Sequence, residues 1–341
     1  MKRVAVILAG GKGERFWPKS KPDFPKQFLS FFDRRPAIKL TEQRLTGLVS
    51  ASDRYYVVPQ RLVKVVRKVF GLKNLIVEPV GRNTAAAIGL AALVLQKRLG
   101  DAIMFVLPSD HLIRDKERFQ NCLRFAAGLA ERDYLVTFGI KPSRPDTNYG
   151  YIKCGSLIEE RDGMVAYRVL NFKEKPDPRT AVRYLRAGNY YWNSGIFVWR
   201  VKTIIEALRE YAPDLYRGLT GYLRQRSIKV FENLPSISID YQVMEKAKRI
   251  ALIRANFDWD DIGSWDALAR HLPRDEKGNV VVGSHIGIDT KDSIIFSEKR
   301  LIATIGVDDL IIIDGGDEVL VCKRDHISKI REVVQKVSKG D

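Results

Sequence analysis

Cysteine is scarce in this 341-residue chain, and the three present, Cys122, Cys154 and Cys322, match no zinc or C-x-x-C spacing. They read as reduced thiols serving as small core residues, which points to a cytoplasmic protein. No run of about 18 apolar residues occurs, so no membrane-spanning helix and no membrane partner are expected. The first strand-like run begins at Val4, leaving no expected signal or transit peptide. Acidic residues are in deficit, with 41 Asp and Glu against 58 Lys and Arg, a net charge of +17. That balance raises nucleic acid as a partner, but its distribution argues otherwise. Residues 1–44 hold eleven basic against four acidic side chains, and the remaining excess of ten is spread over nearly 300 residues. There is no zinc finger, no RNP-type aromatic motif and no compact Lys/Arg tract, so nucleic acid is not expected and a small polyanion fits better.

What is present is clearest near the start. Val4–Leu8 is a continuous apolar run, as in a strand buried on both faces. It leads into Leu8-Ala9-Gly10-Gly11-Lys12-Gly13-Glu14-Arg15-Phe16-Trp17-Pro18, followed by Pro25-Lys26-Gln27-Phe28. Closely spaced glycines let a backbone turn tightly and approach a ligand. N–H groups exposed in such a turn cradle an anion, and Arg15 and Lys26 add full positive charge. The loop has neither the G-x-G-x-x-G of a dinucleotide fold nor the G-x-x-x-x-G-K-[ST] of a P-loop.

Hydrophobic content of 45% and charged content of 29% describe an ordinary globular protein, long enough for two domains. Strand-like runs at Val4–Leu8, Tyr55–Val58, Leu75–Val77, Ile103–Leu107 and Leu135–Phe138 alternate with helical patterns near 36–49, 61–70, 84–99 and 115–131. This predicts an α/β, Rossmann-like, mostly parallel but mixed sheet over residues 1–270, with Val165–Phe172 and Gly195–Arg200 as further strands. Ligands of such sheets bind beyond the carboxyl ends of the strands. From 271 to 341, short β-branched runs recur at roughly ten-residue spacing, predicting a small all-β, β-helix-like unit. It ends in an amphipathic helix at His326–Val337, which would cap the unit or meet another subunit in a homodimer.

Leu107-Pro108-Ser109-Asp110-His111 follows a buried run, so Asp110 points into the ligand crevice. A carboxylate there is costly unless paired or holding a cation, and Asp110 reads as a Mg²⁺ ligand. His111 is read as a structural hydrogen-bonding residue, without a catalytic role. In Trp259-Asp260-Asp261-Ile262-Gly263, adjacent strand residues face opposite ways, so only one aspartate can join Asp110 on a given metal. Thr147-Asn148-Tyr149-Gly150-Tyr151, Phe172-Lys173-Glu174-Lys175-Pro176 and Tyr191-Trp192-Asn193-Ser194-Gly195 combine the amides, carboxylates and aromatics that a sugar phosphate needs.

In this order, seven stretches resemble the nucleoside-diphosphate-sugar pyrophosphorylases and, within them, the bacterial mannose-1-phosphate guanylyltransferase branch. They are LAGGKGERFWP with PKQF, EPVGRNTAAAI (Glu78–Ile88), LPSDH, TNYGYI, FKEKP, WNSGIF and WDDIGSW. The resemblance spans roughly residues 1–270. Lys12 and Glu14 stand where the family commonly has Ser or Thr, and Phe16-Trp17-Pro18-Lys19 replaces Leu-Trp-Pro-Leu; the glycines and Arg15 remain. Many members carry an added sugar-isomerase cupin domain, for which this chain ends too early, so a second activity is not expected. The resemblance implies that Gly10, Gly11, Gly13 and Arg15 hold the GTP phosphates, with Lys26 near the α-phosphate, and that Leu8 and Ser109 also contact the nucleotide. It implies that Glu78, Pro79, Asn83 and Thr84 lie around guanine and ribose. Asn148, Gly150, Glu174, Lys175 and Asn193 would hold mannose 1-phosphate. Asp110 with Asp261, or in second place Asp260, would hold Mg²⁺. Arg15, Lys26 and Asp110 carry the expected catalysis: attack of the sugar phosphate on the α-phosphorus of GTP, with pyrophosphate leaving. The alternatives are the same chemistry on glucose 1-phosphate with UTP or dTTP, and a catalytically silent sugar-nucleotide sensor.

Overall fold

The structure is a computed structural model and describes residues 1–32 and 35–339. The chain divides into two compact units. The larger takes residues 1–10, 41–109 and 113–259; the smaller takes 11–40, 110–112 and the chain from Asp260 onward.

The larger unit is built on a nine-stranded sheet. From one edge its strands run Leu75–Glu78, Arg54–Pro59, Arg3–Leu8, Ile103–Pro108, Tyr190–Arg200, Leu135–Ile140, Ile250–Arg254, Met164–Lys173 and Tyr151–Arg161. The first four are mutually parallel, and Val4 to Ile7 are fully buried, as their uninterrupted apolar run requires. Tyr190–Arg200 then enters antiparallel between Ile103–Pro108 and Leu135–Ile140. The expected mixed sheet is therefore present, with its reversal at the centre. The expected strands of the first half are found to within two residues at either end. The hairpin Tyr151–Arg161 with Met164–Lys173 is longer than the single run its composition suggested. Helix Asn83–Leu99 buries its small face, Ala85 to Ala87 with Ala91 and Ala92. At Gly89 a Cβ would stand 2.6 Å from Leu219 Cδ1, so the absent side chain lets the helix Pro213–Gln225 pack closely.

The smaller unit stacks parallel strands Val280–Val282, Ile294–Phe296 and Leu310–Asp314, closed by antiparallel Val319–Lys323; His285–Ile288 and Ile302–Ile305 form a second parallel pair. Val280, Ile294 and Ile311 lie in register, each fully buried, one above another. Asn279 clips successive coils, donating to the Thr290 carbonyl at 2.9 Å and accepting from Ser293 N at 3.0 Å. Phe16, Leu112, Trp265 and Phe296 share this core. The terminal helix Ile330–Lys339 buries Ile330 and exposes Val333 and Val337. Among the described residues, no helix is long and apolar enough to cross a membrane.

Candidate active site

In the smaller unit the glycine loop wraps a buried ammonium. Gly13 has φ +67°, and a Cβ there would lie 2.6 Å from Lys26 N and 2.7 Å from Lys26 Cβ. Only glycine satisfies both the backbone and the space. Gln27 Nε2 donates to the Gly11 carbonyl at 3.2 Å and Ser20 Oγ to the Gly13 carbonyl at 2.7 Å, so the loop is held at both ends. Lys26 opens the short 3-10 turn Lys26–Phe28 and is 5% exposed. Its Nζ stands 2.9 Å from Asp110 Oδ2 and 3.5 Å from Asp261 Oδ1, and 5.6 Å from the centre of the Phe16 ring. Burial pulls the Lys26 ammonium down, but Asp110 and Asp261 together outweigh it and hold its pKa above the ordinary lysine value. Burial likewise pushes Asp110 up, and Lys26 with His111 overcomes it, holding the carboxyl below the usual range. Lys26 is therefore a cation and Asp110 an anion at neutral pH.

The short pairing of Asp260-Asp261 with His111-Leu112 sets the two aspartates on opposite sides. Asp261 faces Lys26. Asp260 faces away, to Arg270 at 3.0 Å and His271 at 2.6 Å. Arg15 lies on the turn after Gly13, its Nη1 3.6 Å from the position a Cβ on Gly263 would take.

The larger unit carries two further groups. Leu8 ends its strand opposite Val57 and Pro108, and Ser109 N donates to the Leu8 carbonyl at 3.2 Å. Gly10 follows, where a Cβ would stand 3.4 Å from Glu78 Oε2. Glu78, at the end of the edge strand, is 3% exposed, and its buried Oε1 has no hydrogen-bond partner among the described residues. Burial alone pushes its carboxyl up to about 7. Asn83 is left-handed (φ +63°) and its Oδ1 accepts from Thr84 N; Thr84 Oγ1 accepts from Ile239 N at 2.9 Å, and Ala85 N donates to the Ile237 carbonyl. Pro79, half-buried, lines a cavity on the sheet's edge.

Near the start of the central strand Tyr190–Arg200, Asn193 meets Gly150, just before Tyr151–Arg161, and Glu174, just after Met164–Lys173. Asn193 N donates to the Gly150 carbonyl at 2.8 Å, and a Cβ on Gly150 would run into Glu174 Oε2. Lys175 Nζ pairs with Glu174 Oε1 at 3.1 Å. Asn148 is elsewhere in its hydrogen bonding: its N and Nδ2 both go to Asp146 Oδ1. Sequence reasoning missed Asp240, which accepts from Asn193 Nδ2 at 2.8 Å. Burial, and then the neighbouring Glu174, raises the Asp240 carboxyl to about 7. It opens a π-helical turn, Asp240–Met244, a local geometry frequent at functional sites. The one signal was a carboxylate ending the uncharged stretch 233–239.

In the smaller unit a glycine loop over a lysine suits a phosphate, and in the larger unit a buried carboxyl and an amide–carboxylate cluster suit polar ligands. Comparison with known proteins agrees. The nucleotidyl transferase family model matches residues 4–278, and a model described as the MannoseP isomerase/GMP-like beta-helix domain matches 283–337. The mannose-1-phosphate guanylyltransferase of Escherichia coli is 36% identical over 97% of this chain and 75% of its own length. That of Klebsiella pneumoniae is 37% identical over 97% and 73%. The chain belongs to the mannose-1-phosphate guanylyltransferase family. It is thus an enzyme, a nucleotidyltransferase with a C-terminal β-helix-like unit. A crystal structure from Thermus thermophilus, described as a mannose-1-phosphate geranyltransferase, superposes with a TM-score of 0.90 at 37% identity, covering 99% of this chain and all of that one.

Proposed function

We propose that this enzyme transfers GMP from GTP to mannose 1-phosphate, forming GDP-mannose and pyrophosphate. The observation that carries the choice of base is the partnerless, buried Glu78 carboxyl. Guanine offers a carboxylate two adjacent N–H donors on one edge, which would satisfy both oxygens, and such charge-assisted pairs are strong. A uracil or thymine offers one donor flanked by acceptors, which would leave a buried oxygen unpaired.

The phosphate chemistry belongs to the smaller unit. Asp110 and Asp261 already converge on one cation, the Lys26 ammonium. Among the described residues no cluster of three or more metal-ligating side chains occurs. That donor set fits Mg²⁺, which takes one or two carboxylates and fills its shell with water and phosphate oxygens. Bound there, it would supply charge neutralisation and polarise the phosphoryl group. The sugar-phosphate oxygen is itself an anionic nucleophile, so no strong base is needed. It attacks the α-phosphorus in line, the bond from that phosphorus to the bridging oxygen breaks, and pyrophosphate departs with the electron pair. Lys26 and Arg15 offset the charge on the α-phosphate, and the loop amides orient the leaving group. Glu174, Asn193 and Lys175 bind the sugar phosphate, the carboxylate and amide on hydroxyls and the ammonium on phosphate. The reading includes a cytoplasmic location and a homodimer, the latter supported by the exposed Val333 and Val337 of the terminal helix.

Pyrophosphate release measured across a matrix of nucleoside triphosphates and sugar 1-phosphates, with Mg²⁺, tests the assignment. Turnover should peak at GTP with mannose 1-phosphate. A maximum at any other pair refutes the specificity, and no release in any combination refutes the reaction.

A further inference from the structure

A cavity of about 650 Å³ opens on the outer side of the edge strand Leu75–Glu78, among residues to which the reaction gives no role apart from Pro79. Its walls are apolar, with Leu75 and Val77 from the strand and Leu93 and Val94 from the helix Asn83–Leu99. Its rim is basic. Lys97 and Arg98 come from the last turn of that helix, and Arg226 from the left-handed residue that ends the helix Pro213–Gln225. Cations at helix ends are favoured by the helix dipole, which accounts for their sign. It does not account for three of them lining one largely apolar cavity with no carboxylate among its lining residues. Both size and lining match those of small-molecule sites.

We propose that this cavity is an effector site for a small anionic amphiphile, an apolar chain or ring carrying a phosphate or carboxylate. The chain or ring would displace water from Leu75, Val77, Leu93 and Val94, while its anionic group would sit among Lys97, Arg98 and Arg226. The walls also lead to the nucleotide residues. The strand ends in Glu78, and the helix begins at Asn83-Thr84. An occupant that fixes strand against helix therefore fixes the residues assigned to the base and ribose. That effector role rests on the proposed function, whereas binding itself does not.

The test uses the full chain and anilinonaphthalene sulfonate as a fluorescent anionic probe, displaced by dodecyl phosphate. Saturable probe binding is expected, with dodecyl phosphate displacing it at least about tenfold more strongly than dodecanol or inorganic phosphate. Val94→Trp, which fills the cavity, should abolish this binding. The pair Lys97→Glu and Arg98→Glu should weaken it by at least about tenfold while leaving the walls intact. Near-ultraviolet circular dichroism and basal pyrophosphate release confirm that each variant is folded. Probe binding that is unsaturable, unchanged in both variants, or displaced equally by dodecanol or by inorganic phosphate overturns the site. If binding behaves as expected but saturating dodecyl phosphate leaves the KM for GTP unchanged, the effector role falls and the proposed reaction stands.

Discussion

Replacing Glu78 with glutamine should make the protein more stable at pH 8 and a poorer enzyme at the same pH. Burial raises this carboxyl from 4.5 to about 7. Below pH 4.5 it is protonated in the folded and unfolded chains alike, and it contributes no pH dependence. Between pH 4.5 and 7 only the unfolded chain releases its proton, so the unfolded state gains and stability falls as pH rises. Above pH 7 the folded chain bears the whole cost of an ionised carboxylate with one oxygen unpartnered. The interval between the two values corresponds to about 3 kcal/mol, an upper bound because an entering water relieves the ionised form. Glutamine is nearly the same size and has no charge to desolvate. The stability difference between variant and parent should therefore shift in the variant's favour by about 2–3 kcal/mol between pH 4.5 and pH 8, or roughly 5 °C in Tm. In the same variant the KM for GTP should rise roughly 10- to 100-fold at pH 8, the scale of a lost hydrogen bond to a charged group. Thermal unfolding at the two pH values and initial rates against GTP read both effects. Parallel unfolding behaviour at both pH values would refute the argument, since a structural role without the buried charge predicts a constant difference.

Lys26→Met leaves Asp110 and Asp261 without their shared cation, and kcat measured by pyrophosphate release should fall at least ~100-fold. Lys26→Arg should not restore it, because a planar guanidinium does not fit a site shaped for a compact ammonium; a tenth of normal turnover in the methionine variant would exclude the assigned role. Asp261→Asn should lower kcat at least ~10-fold with little change in Tm. Asp260→Asn should do the reverse, weakening the contacts to Arg270 and His271 at a cost of about 1–3 kcal/mol with turnover within a few-fold of normal. The opposite pattern would exchange the two aspartates. Gly13→Ala forces a Cβ against the Lys26 backbone at positive φ and should cost about 1–3 kcal/mol; kcat should fall at least ~10-fold through displacement of Lys26. Unaltered kinetics in that variant would show that the loop does not position the lysine.

Much of the fold was legible because burial on both faces leaves an uninterrupted apolar signal. Val4–Leu8 and Ile103–Leu107 carry it, and the motifs at their carboxyl ends follow from the rule for parallel sheets. Strand direction was not legible in this way. Tyr190–Arg200 runs antiparallel at the sheet's centre, yet an apolar run reads the same in either direction. The opposed aspartates were legible from the two-residue period of a strand, since Asp260 and Asp261 do face different partners. Asp240 was not, because its partner Asn193 lies 47 positions away and no local period links them. Asn148, in a polar stretch, directs its N and Nδ2 to the neighbouring Asp146 Oδ1, a contact that local spacing alone made available.

The short stretch from Ile237 to Asp240 touches two places at once. Ile237 and Ile239 bond to the first turn of the helix beginning at Asn83, and Asp240 bonds to Asn193. A ligand that orders Thr84 therefore also orders the acceptor on which Asn193 depends. Coupling of this kind is reciprocal. Whatever factor one substrate imposes on the affinity of the other must be returned in equal measure. With the substrates placed as proposed, the two sites should then be thermodynamically coupled by equal factors in either direction, through four residues of backbone that neither substrate has to touch.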